Sequence, residues 1–314
     1  MARKWFALLL GVVAAGLYFT FRIPESDPAH DPNLGKHVEK SVQSASPVFE
    51  GTELFRQNLL ASLTLFPGQA FPANLPWEPL RDLGARGAVT LEHYVRHQPL
   101  QFLQMCLDRQ QHEVKGYSLV FLKQERLAGK LQKVEKLKVH FREQPFSVHM
   151  QWLEGARLAT KTLFVEGDNN GQLLARPNGA ILGLVVISQD IDSEKAKASG
   201  RYTIDQFGLF KAMQRTLASM KDAQARDALH LRYEGVFALP ETGDRPCYKF
   251  MRTRYSPAEE DGIHEFTFYI DQETWLQVGS ILKDANGDII AEYFFRDIQI
   301  NPTFSAKQFT RGSL

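Results

Sequence analysis

The segments GYSLVFL (residues 116–122), LKVHFR (137–142) and FSVHMQW (146–152) decide the fold class of this chain. In each segment apolar residues recur at every second position, which is the pattern of a β-strand with one buried face. Short polar joints separate the segments, and residues 161–166 continue the pattern as a fourth strand. The stretch from Gly116 to Gly171 therefore predicts a meander of antiparallel strands.

Polar motifs mark the ends of these strands. Glu125 and Arg126 follow the first segment, and Pro145 precedes the third. The meander closes in the turn GDNNG (167–171), made of residues that tolerate positive φ. We expect these motifs to end strands and fix register; their members are Glu125, Arg126, Pro145, Glu166, Gly167, Asn170 and Gly171.

The apolar side of the predicted sheet needs a cover. Amphipathic helices either close it completely, which makes it an ordinary core, or leave a gap. A gap lined by aromatic and Met side chains suits an acyl chain or a similar apolar ligand, because such side chains adapt in shape. The candidate lining residues are Leu119, Phe121, Val139, Phe141, Phe146, Val148, Met150, Trp152, Phe207 and Phe210.

The rest of the chain adds helices and more strands. Residues 90–96 and 99–112 have helical spacing of apolar residues, and Thr203 with Gln206 has the form of a capping box that starts a third helix. The apolar run at 181–188 predicts a strand in the middle of the sheet. Five further strands follow between residues 229 and 300, with Asn286-Gly287 as a hairpin turn.

These elements predict a fold that is mainly β with helices (α+β). Both series together give ten or eleven strands, and the absence of β-α-β alternation excludes a parallel sheet. We expect one large, curved antiparallel sheet covered by helices.

Composition and charge exclude several classes of protein. The chain has 314 residues, of which 44% are hydrophobic, so it can bury a sizeable core. A formal net charge of +1 gives no field to attract nucleic acid. Two cysteines, Cys106 and Cys247, are too few for a disulfide framework or a Cys-based zinc site. We expect each to be a small buried hydrophobe, although pairing in an oxidising compartment stays open.

The N-terminus predicts a membrane segment. Arg3 and Lys4 precede an apolar run from Trp5 to Phe21, which is typical of an export signal or an anchor in the inner membrane. The run continues past the candidate cleavage site at residues 13–15, which favours an uncleaved anchor with the remaining chain in the periplasm. The predicted organisation is an anchor or signal peptide (1–22), a flexible tether (23–50), a helical and Pro-rich lead-in (51–89) and an antiparallel β domain (90–314).

The sequence contains no motif for a nucleophile elbow, a phosphate loop or a dinucleotide site, and we expect no metal or cofactor. Glu125, Glu166 and Asp168 are the carboxylates to consider for acid–base chemistry, but structural roles at strand ends and in the turn are favoured. His140 and His149 alternate with apolar neighbours and are expected on the solvent face of the sheet.

Several short motifs resemble those of a known family. They are KQER (123–126), PFSV (145–148), VEGDNNGQLLA (165–175), YTI (202–204) and RPC (245–247). With them, residues 90–310 resemble an uncharacterised bacterial envelope family, of the domain-of-unknown-function type, that is related in architecture to the LolA/LolB lipoprotein carriers. The resemblance implies a LolA-like half-open antiparallel barrel, wrapped by helices, whose apolar interior receives acyl chains in the carriers.

The leading hypothesis is a membrane-tethered, non-enzymatic domain of the cell envelope that binds a lipid or a lipoprotein acyl chain. The alternative is an envelope scaffold or protein-interaction domain with a solid core, and a hydrolase is a third possibility. A plain apolar anchor departs from the carriers, which are soluble shuttles or lipoproteins, so a membrane-bound receiver or scaffold fits better than a shuttle.

Overall fold

A computed structural model describes residues 40–41, 85–255 and 262–314. The predicted anchor, and most of the predicted tether and lead-in, lie outside the described residues, so these assignments stay predictions. Within the described ranges no helix combines the length and the hydropathy needed to cross a membrane.

Thirteen described strands form one sheet, in which every pairing is antiparallel. The strand order is β1-β9-β10-β11-β12-β13-β2-β4-β5-β6-β7-β8, and β3 pairs with β2. The last strand therefore returns beside β2 and joins two meanders into one sheet. The strands are β1 (Lys40–Ser41), β2 (Gly116–Leu127), β3 (Lys130–Leu131), β4 (Glu135–Arg142), β5 (Ser147–Glu154), β6 (Ala159–Val165), β7 (Leu173–Pro177), β8 (Ile187–Gln189), β9 (His230–Ala238), β10 (Pro246–Thr253), β11 (Glu265–Asp271), β12 (Gln277–Lys283) and β13 (Ile289–Ile300).

Four α-helices accompany the sheet, namely α1 (Ala85–His97), α2 (Pro99–Glu113), α3 (Glu194–Lys197) and α4 (Leu209–Ala225). Helices α1, α2 and α4 pack against strands β10 and β11 in a cluster that includes Phe102, Met213, Met220, Phe250 and Phe268. Apolar spacing at three and four residues turns one side of each helix toward this cluster. The three helices thus share an apolar cluster with this part of the sheet.

The central meander follows its predicted period. Along β4 the odd-numbered side chains from Glu135 to Phe141 are buried, whereas the even-numbered ones are partly exposed. Gly167, Asn169, Asn170 and Gly171 have positive φ, as the composition of the turn predicts. The Asn286-Gly287 hairpin turn is also present between β12 and β13, with Gly287 N–H donating to Asp284 O at 3.0 Å.

The predicted capping box is wrong. Residues 204–206 form a 3-10 turn, the Thr203 side chain makes no cap hydrogen bond, and α4 begins at Leu209. Between them Phe207 is extended and Gly208 has φ 130°, a conformation that glycine adopts without steric cost. The spacing of Phe207 and Phe210 imitates a helix, but Phe207 serves a different contact described below.

The prediction of a central strand at residues 181–188 is also wrong. Residues 182–184 form a 3-10 turn, and only Ile187–Gln189 is a strand, at the outer edge of the sheet. Gly179 has φ 131°, and the Gly183 N–H donates to the carbonyl oxygen of Gly179 at 2.8 Å. The chain therefore turns before the strand begins. The apolar run is therefore mostly a loop.

Cys106 and Cys247 are free and buried, as expected of small hydrophobes rather than of a disulfide pair. Burial raises the pKa of both thiols, that of Cys247 to about 12. Both side chains are therefore poor nucleophiles in the folded protein.

Candidate binding surfaces

The predicted lining residues gather on one side of β2, β4, β5 and β13, which we call the inner face. Cross-strand register places Phe121 opposite Leu137 on one side and opposite Phe295 on the other. Trp152 is half-buried and packs against this cluster. Seven predicted lining residues lie on these strands or directly before β5, and each exposes between 0% and 8% of its surface. They are Leu119, Phe121, Val139, Phe141, Phe146, Val148 and Met150.

The connecting segment 190–208, rather than a long helix, covers this half of the sheet. Its side chains Ile191, Ile204 and Phe207 pack on the inner face. The Phe207 ring centroid lies 5.6 Å from that of Phe121 and 6.5 Å from that of Phe141. The Phe207 ring is therefore part of the apolar packing on the inner face.

The chain passes very close to the inner face at the start of α4. Leu209 N–H donates to the Tyr117 hydroxyl at 3.1 Å. A Cβ at Gly208 would lie 3.4 Å from the Phe141 ring, an ordinary contact, so it is the positive φ of Gly208 rather than the packing that favours glycine there. Phe210, the second residue of α4, is half-buried and is not among the residues of this cluster. Its assignment to the inner face stays a prediction.

A polar cluster closes one end of the inner face. Glu125 and Glu135 are 5% and 4% exposed, and Lys123 lies between them, with its Nζ 3.3 Å and 3.8 Å from their carboxylates. Arg157 pairs with Glu135 at 2.9 Å. The Tyr293 hydroxyl donates to Glu125 at 2.7 Å, and burial, reinforced by that carboxylate, raises the pKa of Tyr293 well above its usual value. The cluster is an internally paired network rather than an open anion or cation site.

The polar cluster also holds the covering segment. Arg157 Nη2 donates to Ser199 O at 2.9 Å, and Arg201 N–H donates to Glu125 Oε1 at 3.4 Å. Breaking the network would therefore loosen residues 199–201 together with the strand ends.

The other motif residues lie at strand ends and in turns. Arg126 donates to Ile289 O at 3.0 Å on the neighbouring strand and to Gly129 O at 3.2 Å in its own turn. Pro145 is exposed in the turn before β5, and Glu166 begins the exposed turn after β6, where its N–H donates to Phe146 O at 2.8 Å. These contacts fix strand ends and register.

The carboxylates considered for acid–base chemistry do not converge. Glu125 lies in the polar cluster beside Glu135, whereas Glu166 and Asp168 are exposed after β6, which ends beside the far end of β4. The length of β4 separates these ends by about 23 Å at the usual rise per residue. Within the described ranges no group of three or more His, Cys, Asp and Glu side chains is placed to hold a metal ion.

His140 and His149 lie on the outer face, but the prediction that they are solvent residues is wrong for His149, which is 4% exposed. The two rings are cross-strand neighbours 5.8 Å apart, and Gln308 Nε2 lies 3.2 Å and 2.8 Å from their Nδ1 atoms. Burial, reinforced by His140 and Lys161, lowers the pKa of His149 to about 4. Residues 301–314 cover this face through Phe304, Phe309 and Leu314, a contact far along the chain that strand periodicity does not reveal.

A second apolar surface lies where β5–β6 and β7–β8 turn at the edge of the sheet. We call it the edge patch and define it as Leu158, Ile181, Leu184, Val185 and Ile187. Their exposed fractions range from 37% for Ile187 to 82% for Ile181. The two turns are joined, because Asn178 N–H donates to Leu158 O at 2.9 Å. Pro177, Asn178 and Gly179 before the apolar run, and Gly183 within it, were the sequence signals that this segment is a loop.

One further depression is an open cleft of about 270 Å³ beside α2, lined by residues that include Pro99, Gln101, Gln224 and Leu231. Its lining contains none of the predicted lining residues, so it is separate from the inner face.

The family profile described as "Protein of unknown function (DUF1571)" matches residues 114–313. The chain belongs to the DUF1571 family. This confirms the resemblance to a domain-of-unknown-function family, and the match covers strands β2 to β13, the covering segment and the edge patch. A search of curated proteins gives no match.

The DUF1571 chain is similar in fold to several solved structures. The MucA/MucB complex of Pseudomonas aeruginosa matches at 14% identity and a TM-score of 0.40 over 68% of this chain, but over 61% of the other, under two thirds of its length. A LolA superfamily protein of Nitrosomonas europaea matches at 8% identity and a TM-score of 0.31, over 68% of this chain and 99% of the other. The lipoprotein LppX of Mycobacterium tuberculosis matches at 11% identity and a TM-score of 0.38, over 65% of this chain and 96% of the other. At these TM-scores the similarities carry no argument about what the chain binds.

Proposed function

We propose that this DUF1571 chain is a non-enzymatic binding domain of the bacterial cell envelope, anchored in the inner membrane by residues 1–22, and that it binds its partner through the edge patch. The observation that carries the proposal is the contrast between two apolar surfaces. The inner face is packed by Phe207 and its neighbours, whereas Ile181 and Leu184 expose 82% and 77% of their surface. Large apolar side chains that stay exposed together are typical of interaction sites.

Thiol protection in cells tests this proposal. Leu184→Cys and Ile300→Cys provide a matched pair, because Ile300 is a 38% exposed apolar residue at the far end of β13. The native thiols are buried and their raised pKa values keep them from competing for a maleimide. Without a partner, Cys at the more exposed position 184 reacts faster than Cys at position 300. We expect the reverse order in cells, and faster labelling at 184 would contradict the proposal.

A second candidate function is acyl-chain binding on the inner face, with the covering segment displaced. It is favoured by the continuity of the apolar inner face under a cover that contributes only Ile191, Ile204 and Phe207 from a connecting segment. Phe207→Ala would then increase the uptake of a fluorescent fatty acid, and native mass spectrometry would detect bound lipid. Equal, negligible uptake by both proteins would exclude this function.

A further inference from the structure

The edge patch combines exposed apolar side chains with two arginines at its base. Arg176 Nη1 donates to Gly183 O at 2.7 Å, and Arg311 Nη2 donates to Val186 O at 3.3 Å. Both guanidinium groups therefore lie beside the loop that carries Ile181 and Leu184. We propose that the edge patch docks on a phospholipid bilayer with anionic headgroups. This proposal rests on the proposed function and names the partner of the same site.

The shape and composition of the loop favour a bilayer over a protein partner. Residues 178–186 form the loop between β7 and β8 at the sheet edge, and Ile181 and Leu184 in this loop are 82% and 77% exposed. An added protein strand would have to pair with β8, which is three residues long and offers few free backbone groups. Exposed apolar side chains on a loop are suited to insertion between lipid headgroups.

The charges near the loop agree with an anionic surface. Residues 173–189 contain no Asp or Glu. The first acidic residue, Asp190, follows the end of β8 that pairs with Leu173, away from the tip, and Glu154 near the β5–β6 turn pairs with Lys136 at 2.9 Å. Arginine beside an apolar tip can bind phosphate while the tip lies in the acyl region.

The predicted anchor supports the same occupant. If residues 5–21 hold the chain in the inner membrane, the edge patch meets a lipid surface at a high effective concentration. Even a weak intrinsic affinity is then sufficient for docking.

A polarity-sensitive dye on the full chain in vesicles tests the inference. The dye is attached at Ala180→Cys in the loop or, as matched control, at Ala285→Cys in the exposed turn after β12. In vesicles of phosphatidylethanolamine and phosphatidylglycerol, we expect blue-shifted emission and quenching by lipid-attached quenchers at position 180 only. Adding Ile181→Ser should abolish the shift, and Arg311→Gln should lower the ratio of inserted to free loop about five-fold.

Two comparisons separate the possible outcomes. Phosphatidylcholine vesicles test the charge requirement without any substitution, and an equal shift in both lipids would overturn the role of anionic headgroups. Water-like emission at position 180 in all vesicles would overturn bilayer docking. If position 184 is nevertheless protected in cells, the partner is a protein and the proposed function stands; if it is not, both proposals fail.

Discussion

The inner face and the edge patch are two apolar surfaces of the same sheet, but the first is buried and the second is exposed. Phe141 on the inner face exposes 3% of its surface and stacks on Tyr117 with centroids 4.6 Å apart, whereas Leu184 in the edge patch exposes 77%. Hydrophobicity alone does not distinguish them. The difference is the presence of a covering segment, so the inner face contributes to stability and the edge patch is available for binding.

The largest expected effect is on the inner face. Phe141→Ala removes a ring that contacts Tyr117, Phe146 and Phe207, and we expect it to lower the free energy of unfolding by about 3–5 kcal/mol. Urea denaturation measures the change, and Leu184→Ala is the control. Equal effects of the two substitutions would remove the contrast between the surfaces.

The polar cluster is the next test, because it ties the covering segment to the inner face. Glu135→Ala leaves Arg157 and Lys123 without their shared carboxylate, and we expect a loss of about 3 kcal/mol. Glu135→Gln, which keeps the shape, should cost less. Faster proteolysis within residues 190–208 of the Ala variant would confirm the tie, and an unchanged cleavage rate would contradict it.

Acidification should weaken the packing of residues 301–314 on the outer face of the sheet, next to the edge patch. His149 has a folded pKa of about 4 and an ordinary value of 6.5, so the unfolded chain binds the proton at higher pH. The contribution of the neutral His149 ring to the free energy of unfolding is therefore complete above about pH 6.5. As the pH falls from 6.5 to 4 this contribution is lost, which lowers the free energy of unfolding by no more than about 3 kcal/mol.

The pH dependence of urea denaturation measures this effect. We expect His149→Gln to flatten the curve between pH 6.5 and 4, whereas the exposed His112→Gln should leave it unchanged. The same curve for wild type and His149→Gln would show that the buried ring does not couple the outer cover to pH.

The smallest effect on stability is expected in the edge patch. Leu184→Ser should change the free energy of unfolding by less than about 0.5 kcal/mol, because the side chain is 77% exposed. A large loss of stability would mean that the patch is part of the core and would merge the two surfaces into one.

Local pattern predicted much of the sheet. The alternation in β4, the positive-φ turn at 167–171 and the Asn286-Gly287 hairpin depend on neighbouring residues, and all are present. The inner face was also foreseen from Phe121 to Trp152, because period two assigns side chains to faces. The failures at Thr203 and at 181–188 share one cause: an apolar spacing does not specify which distant surface the side chains contact.

The sequence by itself determined the antiparallel strands, their faces and the motifs that place the chain in the DUF1571 family, since these follow from local backbone preferences and side-chain period. Only the tertiary structure decided that Phe207 covers the inner face, that His149 lies under residues 301–314 and that Leu184 has no cover among the described residues. Burial depends on contacts between residues far apart in the chain, and this is why the same apolar composition gives a core on one surface and a candidate binding site on the other.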